Sequence, residues 1–466
     1  MDTSNEPAAT AHSAEGAREL PVTQLASIAA DAADVEAAVQ DNRVPLSKVS
    51  KRHLLALFIA QSTLFMALVV PSAFSLAIKI GALDPSGRDT MLPLAIGVGA
   101  TLVIFTNPVF GVLSDRTLSR WGRRRPWMIF SMVVGLLGSL VVAFAGSSVV
   151  VIVGWAIAMV GYAAGSQAIF IYLGDRLPES QRGKVMGISG AITQIGPIAG
   201  ILIAGSLSTE LALVFIVPAV IAFLGSIWFV LSMHDPQHNG QIPPFRIAGL
   251  LRGFYINPRK HQPFAWVLVS KFFIFACIAF NGVYGVYLLT SELGVGVTEA
   301  AGVIATISLV GIFTAIVGAV GSGWLSDKLR SRKPFLVISG LLMAVSAVMT
   351  ALACNVTQFI VAGIVGTFAI GVYGAVDQAL ALDALPKEEG QNGRFLAVFG
   401  LANSIPQAVG PFLAGAVLAL ASGEYRAVWW AAAVFAVLGA LTVIPIKVAR
   451  PPVRVSTETA GVAPTS

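Results

Sequence analysis

Apolar runs of about 20 residues recur from residue 53 onward, broken by short polar or charged turns. That is the length at which a helix crosses roughly 30 Å of hydrocarbon. The runs predict spans at 53–78, 90–113, 127–146, 149–173, 185–207 and 211–233, then a polar connector. Beyond it they predict 264–290, 298–323, 335–353, 356–383, 393–421 and 426–447. The expected fold is all-α and membrane-embedded, with twelve transmembrane helices in two pseudo-symmetric six-helix bundles. The bundles occupy 48–233 and 263–450, joined by a linker at 234–262. Small residues crowd the spans, as over Gly196–Gly205 and Gly410–Ala419, and let helix backbones approach closely. Residues 1–47 carry eight acids and two arginines among Ala, Ser and Thr, and predict a disordered tail with no cleavable signal peptide. Residues 451–466 form a second short tail.

Composition agrees with the pattern. Only 12% of the 466 residues are charged and 56% are hydrophobic, whereas soluble proteins carry about 25% charged residues. Basic residues gather in alternate loops: Arg116, Arg120, Arg123, Arg124 and Arg125 after the second span, and Arg176, Arg182 and Lys184 after the fourth. The opposite loops hold Lys79, Arg88 and Arg426. The asymmetry predicts that the basic loops and both tails are cytoplasmic, in a cell (plasma) membrane. The net charge of +6 is therefore a topology signal and implies no nucleic-acid partner. Competing chemistry is missing from the sequence: there is no phosphate-binding loop, no His-x-x-x-His pair and no Cys-x-x-Cys. Cys277 and Cys354 fall in apolar runs, and none of the five histidines lies deep in a span. The reading is not an enzyme, with no cofactor and no metal, whose uphill work must come from an ion gradient. A monomer is expected.

One charged hairpin stands out, from Asn107 to Trp127. Gly111, Ser114, Asp115 and Arg116 end one run, and Arg120, Gly122, Arg123, Arg124, Arg125 and Pro126 open the next. A weaker copy holds Gly323, Asp327, Lys328, Arg330, Arg332, Lys333 and Pro334. Asp175 and Pro178 are likewise echoed by Asp383 and Pro386, and Gly196-Pro197 by Gly410-Pro411. Duplicated halves of this kind are a transporter signature. The arrangement resembles the major facilitator superfamily. The hairpin residues Asp115, Arg120, Gly122, Arg123 and Arg124 resemble those of the glycoside–pentoside–hexuronide:cation symporters, in particular the sucrose-type, proton-coupled branch. The chain departs from the sodium-coupled, melibiose-type carriers. They place an acid on helix two immediately before a proline, where this chain has Asn107, and the second hairpin here lacks the Gly-Arg-Arg triplet. The resemblance implies a cytoplasmic gate. In it Asp115 pairs with the arginines and with the start of helix eleven near Gly393–Phe395, and Arg116, Arg182, Asp175, Gly323, Asp327, Lys328 and Asp383 complete it.

Ionisable residues at bilayer depth are costly and are functional candidates by default. Asp377 lies about 9 Å inside the end of the tenth run, with Tyr373 one turn before it on the same face. Lys271, early in the seventh run, can either snorkel to the interface or pair with an acid. Uncharged polar and aromatic groups recur on four spans: Gln61 and Phe65; Trp155, Tyr162 and Gln167; Asn281, Tyr284 and Tyr287; Tyr373 and Gln378. The resemblance implies that these four helices line a central cavity. Aromatic faces beside amides and hydroxyls suit a sugar, although each residue singly also fits helix packing. The expectation is a secondary transporter carrying a glycoside or oligosaccharide with a proton, Asp377 and Lys271 forming the coupling pair. Proton-driven efflux of an amphipathic compound is the alternative, and a membrane sensor without transport is a third reading.

Overall fold

A computed structural model describes residues 49–117, 119–122, 124–233, 259–329, 331–384 and 392–446. Both tails, most of the linker and residues 385–391 lie outside the described residues, as do Arg123 and the side chains of Asp115, Asp175, Arg182 and Asp383.

Among the described residues the chain is helical throughout. The first half holds α1 (Lys51–Leu83), α2 (Arg88–Asp115), α3 (Arg125–Ala143), α4 (Ser148–Arg176), α5 (Glu179–Ser206) and α6 (Leu213–Ser232). The second holds α7 (Gln262–Val283), α8 (Val297–Lys328), α9 (Lys333–Ala351), α10 (Val356–Ala384), α11 (Asn392–Leu420) and α12 (Arg426–Leu441). Eleven are long and apolar enough to cross a membrane, and α12 is shorter, at 16 residues, with turns carrying the chain on to Ile446. The sequence expected α1 to end near residue 78, but the helix runs on to Leu83 and takes Lys79 into its buried wall. It also expected one continuous seventh span. Instead α7 stops at Val283, Tyr284 leaves helical geometry, and Gly285–Tyr287 and a π-turn at Leu288–Glu292 complete the crossing.

The two halves repeat one packing scheme. Within the first, α2 and α3 pack on α4, and α1 packs on α5 and α6; α8 and α9 pack on α10, and α7 on α11 and α12, in the second. Glycines set the spacing. A methyl on Gly161 of α4 would lie 2.3 Å from the Gly135 nitrogen of α3, so only hydrogen fits where these backbones touch. Proline interrupts α2, α5, α6 and α11, tolerated where neighbouring helices and local turns accommodate the lost backbone bond. Large apolar side chains such as Phe105, Leu231 and Val320 point outward, as a lipid-facing rim requires.

Between the halves, α2 packs on α11 and α5 on α8. These contacts lie away from the basic hairpins: Gly97 faces Phe412, Gly415 faces Pro93, and Gly205 faces Ala301. The halves therefore meet firmly toward the end opposite the arginine clusters.

Candidate functional site

The sequence placed two ionisable groups inside spans of the second half, and the fold brings them together. Lys271 lies about 13 Å along α7 from Gln262, and Asp377 about 10 Å along α10 from Ala384. Both helices run to the same end, so the residues sit at similar depth. Lys271 Nζ donates to Asp377 Oδ2 at 2.7 Å, and each side chain is only 7% exposed. Tyr373, one turn away on α10, donates its hydroxyl to Asp377 Oδ1 at 2.9 Å. The ammonium also stands 3.4 Å from the centre of the Phe399 ring of α11 and 5.4 Å from that of Phe275. Each carboxylate oxygen has a donor, and the lysine has an acid and an aromatic face. A snorkelling lysine needs no such partner. Neutralising one member of such a pair strands the other charge in low dielectric, which makes protonation of Asp377 a structural event.

Beyond this pair, on the same α7 and α10 faces, a cavity of about 260 Å³ opens inside the second half. Asn281 and Gly282 of α7 and Gly285 just past its end line it, with Gly366, Thr367 and Ile370 of α10. Ile370 is about 10 Å along α10 from Asp377, and Ala73 of α1 completes the wall from the first half. Asn281 turns its amide nitrogen back onto the Cys277 carbonyl at 3.0 Å.

Farther out, a polar cluster ties the halves together at the end opposite the arginines. Asp89, at the start of α2, accepts the Tyr425 hydroxyl on Oδ1 at 2.5 Å and the Tyr284 hydroxyl on its carbonyl oxygen at 2.6 Å. Tyr287 donates to the Ala77 carbonyl of α1 at 2.9 Å, and the Arg88 guanidinium lies 4.9 Å from the Tyr287 ring centre. Arg88 also reaches Ser291 Oγ at 3.1 Å, and Arg426 pairs with Glu292 at 2.8 Å. Burial and the adjacent Asp89 push the Tyr425 phenol above its ordinary range, which keeps it a donor. This end of the molecule is closed.

The other end carries the charged hairpin. Gly122 turns it with φ +98°, a conformation that side chains rarely adopt. Arg124, buried, donates to Ser114 Oγ, Arg125 donates to the Met233 carbonyl, and Trp127 donates to Thr117 Oγ1 at 2.6 Å. Arg116 closes α2 and Arg120 is exposed in the turn. In the second hairpin Asp327 stands 4.0 Å from Arg332, and Lys328 lies 5.0 Å from the Trp324 ring centre. A methyl on Gly111 would meet only Ile171, at 4.0 Å, and one on Gly323 nothing within 4 Å. The residues expected at a gate, Asp115, Arg123, Asp175, Arg182 and Asp383, and the expected contacts of Asp115, lie outside the described residues or side chains.

The expected cavity lining divides. Asn281 lines the cavity. Tyr373 is buried in the ion-pair cluster, and Gln378 is exposed one position beyond Asp377. Tyr284 and Tyr287 stand in the closed end, carried there by the break in α7. Tyr162 faces α3, where its hydroxyl meets Ser139 Oγ at 2.8 Å and its ring covers Gly135. Trp155 packs its indole nitrogen over Gly99 of α2. Gln61 is buried with neither amide atom bonded, while Phe65 and Gln167 are half-buried. The pattern of spans missed three features. Asp89 and Tyr425 looked like loop residues. Lys79 looked like a loop charge, yet donates to the Ala143 carbonyl at the end of α3 at 2.9 Å. His53 looked like the edge of a span, yet its ring bonds the Ser232 carbonyl at 3.1 Å and the Tyr172 hydroxyl at 2.9 Å.

Comparison with known proteins gives the same architecture. A mutant of the nucleoside transporter NupG superposes with a TM-score of 0.71 at 13% identity, over 84% of this chain and 99% of that one. A bacterial homolog to the human lysosomal transporter Spinster, in an inward-facing and occupied conformation, gives 0.65 at 17% identity, over 85% and 97%. The POT family transporter PepTSo gives 0.67 at 13%, over 85% and 97%. A short stretch of 36 residues is 50% identical to an uncharacterized symporter of Synechocystis sp., covering 8% of this chain and 7% of that protein. The profile of the Major Facilitator Superfamily matches residues 54–322 and 291–465, nearly the whole membrane region. This match makes the chain a member of the Major Facilitator Superfamily, a secondary-active membrane transporter of a small molecule.

Proposed function

We propose that the protein is a proton-coupled symporter of the glycoside–cation type, with its basic end in the cytoplasm and Asp377 as the proton carrier. The observation that carries the reading is the Lys271–Asp377–Tyr373 cluster: an acid buried inside a span, about 10 Å along α10 from a cavity, with a donor on each carboxylate oxygen. With the far end closed by Asp89 and its tyrosines, release of cargo and proton is toward the arginine end. Deprotonated Asp377 then recaptures Lys271, and rocking of one half against the other returns the site outward. The charged hairpin, which resembles that of sucrose-type carriers, supports the glycoside class and the gate role of Asp115 and its arginines. A second reading, export of an amphipathic compound against protons, is favoured by the apolar wall of the second-half cavity. Uptake of labelled glycosides, with alkyl and aryl aglycones beside mono- and disaccharides, into proteoliposomes under a pH gradient or a sodium gradient tests the proposal. Glycoside accumulation with pH alone is expected, and accumulation with sodium at constant pH contradicts it.

A further inference from the structure

The cavity in the second half is not simply an extension of the charged centre. It reaches behind α7 and α10 to α9 and α12, where Met343 and Trp429, with Phe359 of α10, form its back. Its hydroxyls are spent on the helices. Ser308 donates to the Ile304 carbonyl at 2.8 Å, Ser346 to the Ala362 carbonyl at 2.8 Å, and Thr350 to the Ser346 carbonyl at 3.0 Å. Thr367 bonds the Ile364 carbonyl at 2.9 Å, and the Asn281 amide nitrogen is turned onto the Cys277 carbonyl. What remains for a ligand is acceptor capacity from hydroxyl lone pairs and the Asn281 carbonyl oxygen, with few N–H donors, on an otherwise apolar surface. None of the described residues that line it is charged. An anion placed here would lose its hydration without gaining a cation. A bare sugar has far more hydroxyls than these few groups can match and would leave most of them unpaired.

We infer that this cavity seats a compact, neutral, apolar-faced group, and that the transported molecule carries such a group. The inference deepens the transport reading by naming the cargo's chemical class, and it rests on that reading for the word cargo. At about 260 Å³ the space is smaller than sites for drug-sized molecules and fits one or two fused rings. The polar part of the cargo then lies toward Lys271 and Asp377.

Two features make the test specific. Ala73 lines the cavity and is half-buried, so Ala73→Cys beside Cys277→Ser and Cys354→Ser reports its occupancy. Gly282 also lines the cavity, and a methyl built there meets nothing within 4 Å, so the side chain of Gly282→Leu starts in open space. The full chain with these changes, in nanodiscs, is labelled at position 73 with a small methanethiosulfonate, with 1-naphthol or 1-naphthoate present. 1-Naphthol should slow labelling at least tenfold, 1-naphthoate should not, and Gly282→Leu should abolish the protection by naphthol. Equal protection by both compounds, no protection by either, or protection surviving Gly282→Leu overturns the inference. The readout is an equilibrium one without a gradient, so its failure leaves the coupling role of Asp377 standing. Conversely, protection should persist in Asp377→Asn even where that variant's transport contradicts the coupling scheme.

Discussion

The closed end makes a quantitative prediction. Asp89 holds the halves together there through two tyrosine donors, one of them the 5%-exposed Tyr425 at 2.5 Å. A hydrogen bond to a charged group contributes about 1.5–3 kcal/mol. If the bond exists only while this end is closed, Tyr425→Phe moves the equilibrium toward the open form by the same amount, roughly 10- to 150-fold in population. Phenylalanine keeps the ring packing against Tyr284 and Tyr287, whose centres lie 5.7 and 6.0 Å away, so the hydroxyl alone is tested. The assay uses Cys277→Ser and Cys354→Ser with a single Ala73→Cys, a cavity position on α1. An impermeant thiol reagent applied to intact cells should label Ala73→Cys at least tenfold faster when Tyr425→Phe is added. Gln378→Cys, exposed toward the other end, should label more slowly in inverted vesicles. Unchanged rates at both positions would refute the view that these contacts set the conformational balance.

Three further outcomes follow from particular contacts. Lys271→Met or Asp377→Leu alone should each cost about 3–5 kcal/mol of stability by stranding a buried charge, and the double variant should recover most of it, as read by chemical denaturation in detergent. Tyr162→Phe should lower stability by about 1 kcal/mol through loss of the Ser139 contact while leaving the transport KM unchanged; a large rise in KM would return Tyr162 to the binding site. A reporter active only outside the cytoplasm, fused after Arg454, should be silent, and strong activity would reverse the orientation.

The helices were legible because lipid imposes a length and a polarity on every span, and the twofold repeat was legible in its glycines, prolines and charged hairpins. Asp377 and Lys271 were visible for the same reason: charges inside apolar runs have few ordinary explanations. Their pairing was not visible, since it depends on the relative register of α7 and α10, which no local pattern encodes. Tyr284 and Tyr287 stand away from the cavity because the seventh span is not one straight helix. The Gly282–Gly285 region allows α7 to end at Val283, and the phenols swing to Asp89 and Ala77. Tyr162 belonged to a groove that the sequence does show, through Gly135 and Gly138 on α3, but only the packed structure says that its ring is what fills it. Asp89 and Tyr425 sit at span ends, where a polar residue needs no special reason.

The central claim is that Asp377 carries the coupled proton, and one variant tests it directly. Asp377→Asn mimics the protonated, uncharged side chain and keeps its size, leaving Lys271 against the Phe399 ring. In proteoliposomes loaded with the transported compound, the variant should still exchange labelled for unlabelled substrate, because that half-cycle requires no deprotonation. The same preparation should fail to accumulate substrate under an inward pH gradient. Accumulation at the wild-type level, with exchange intact, would contradict the account.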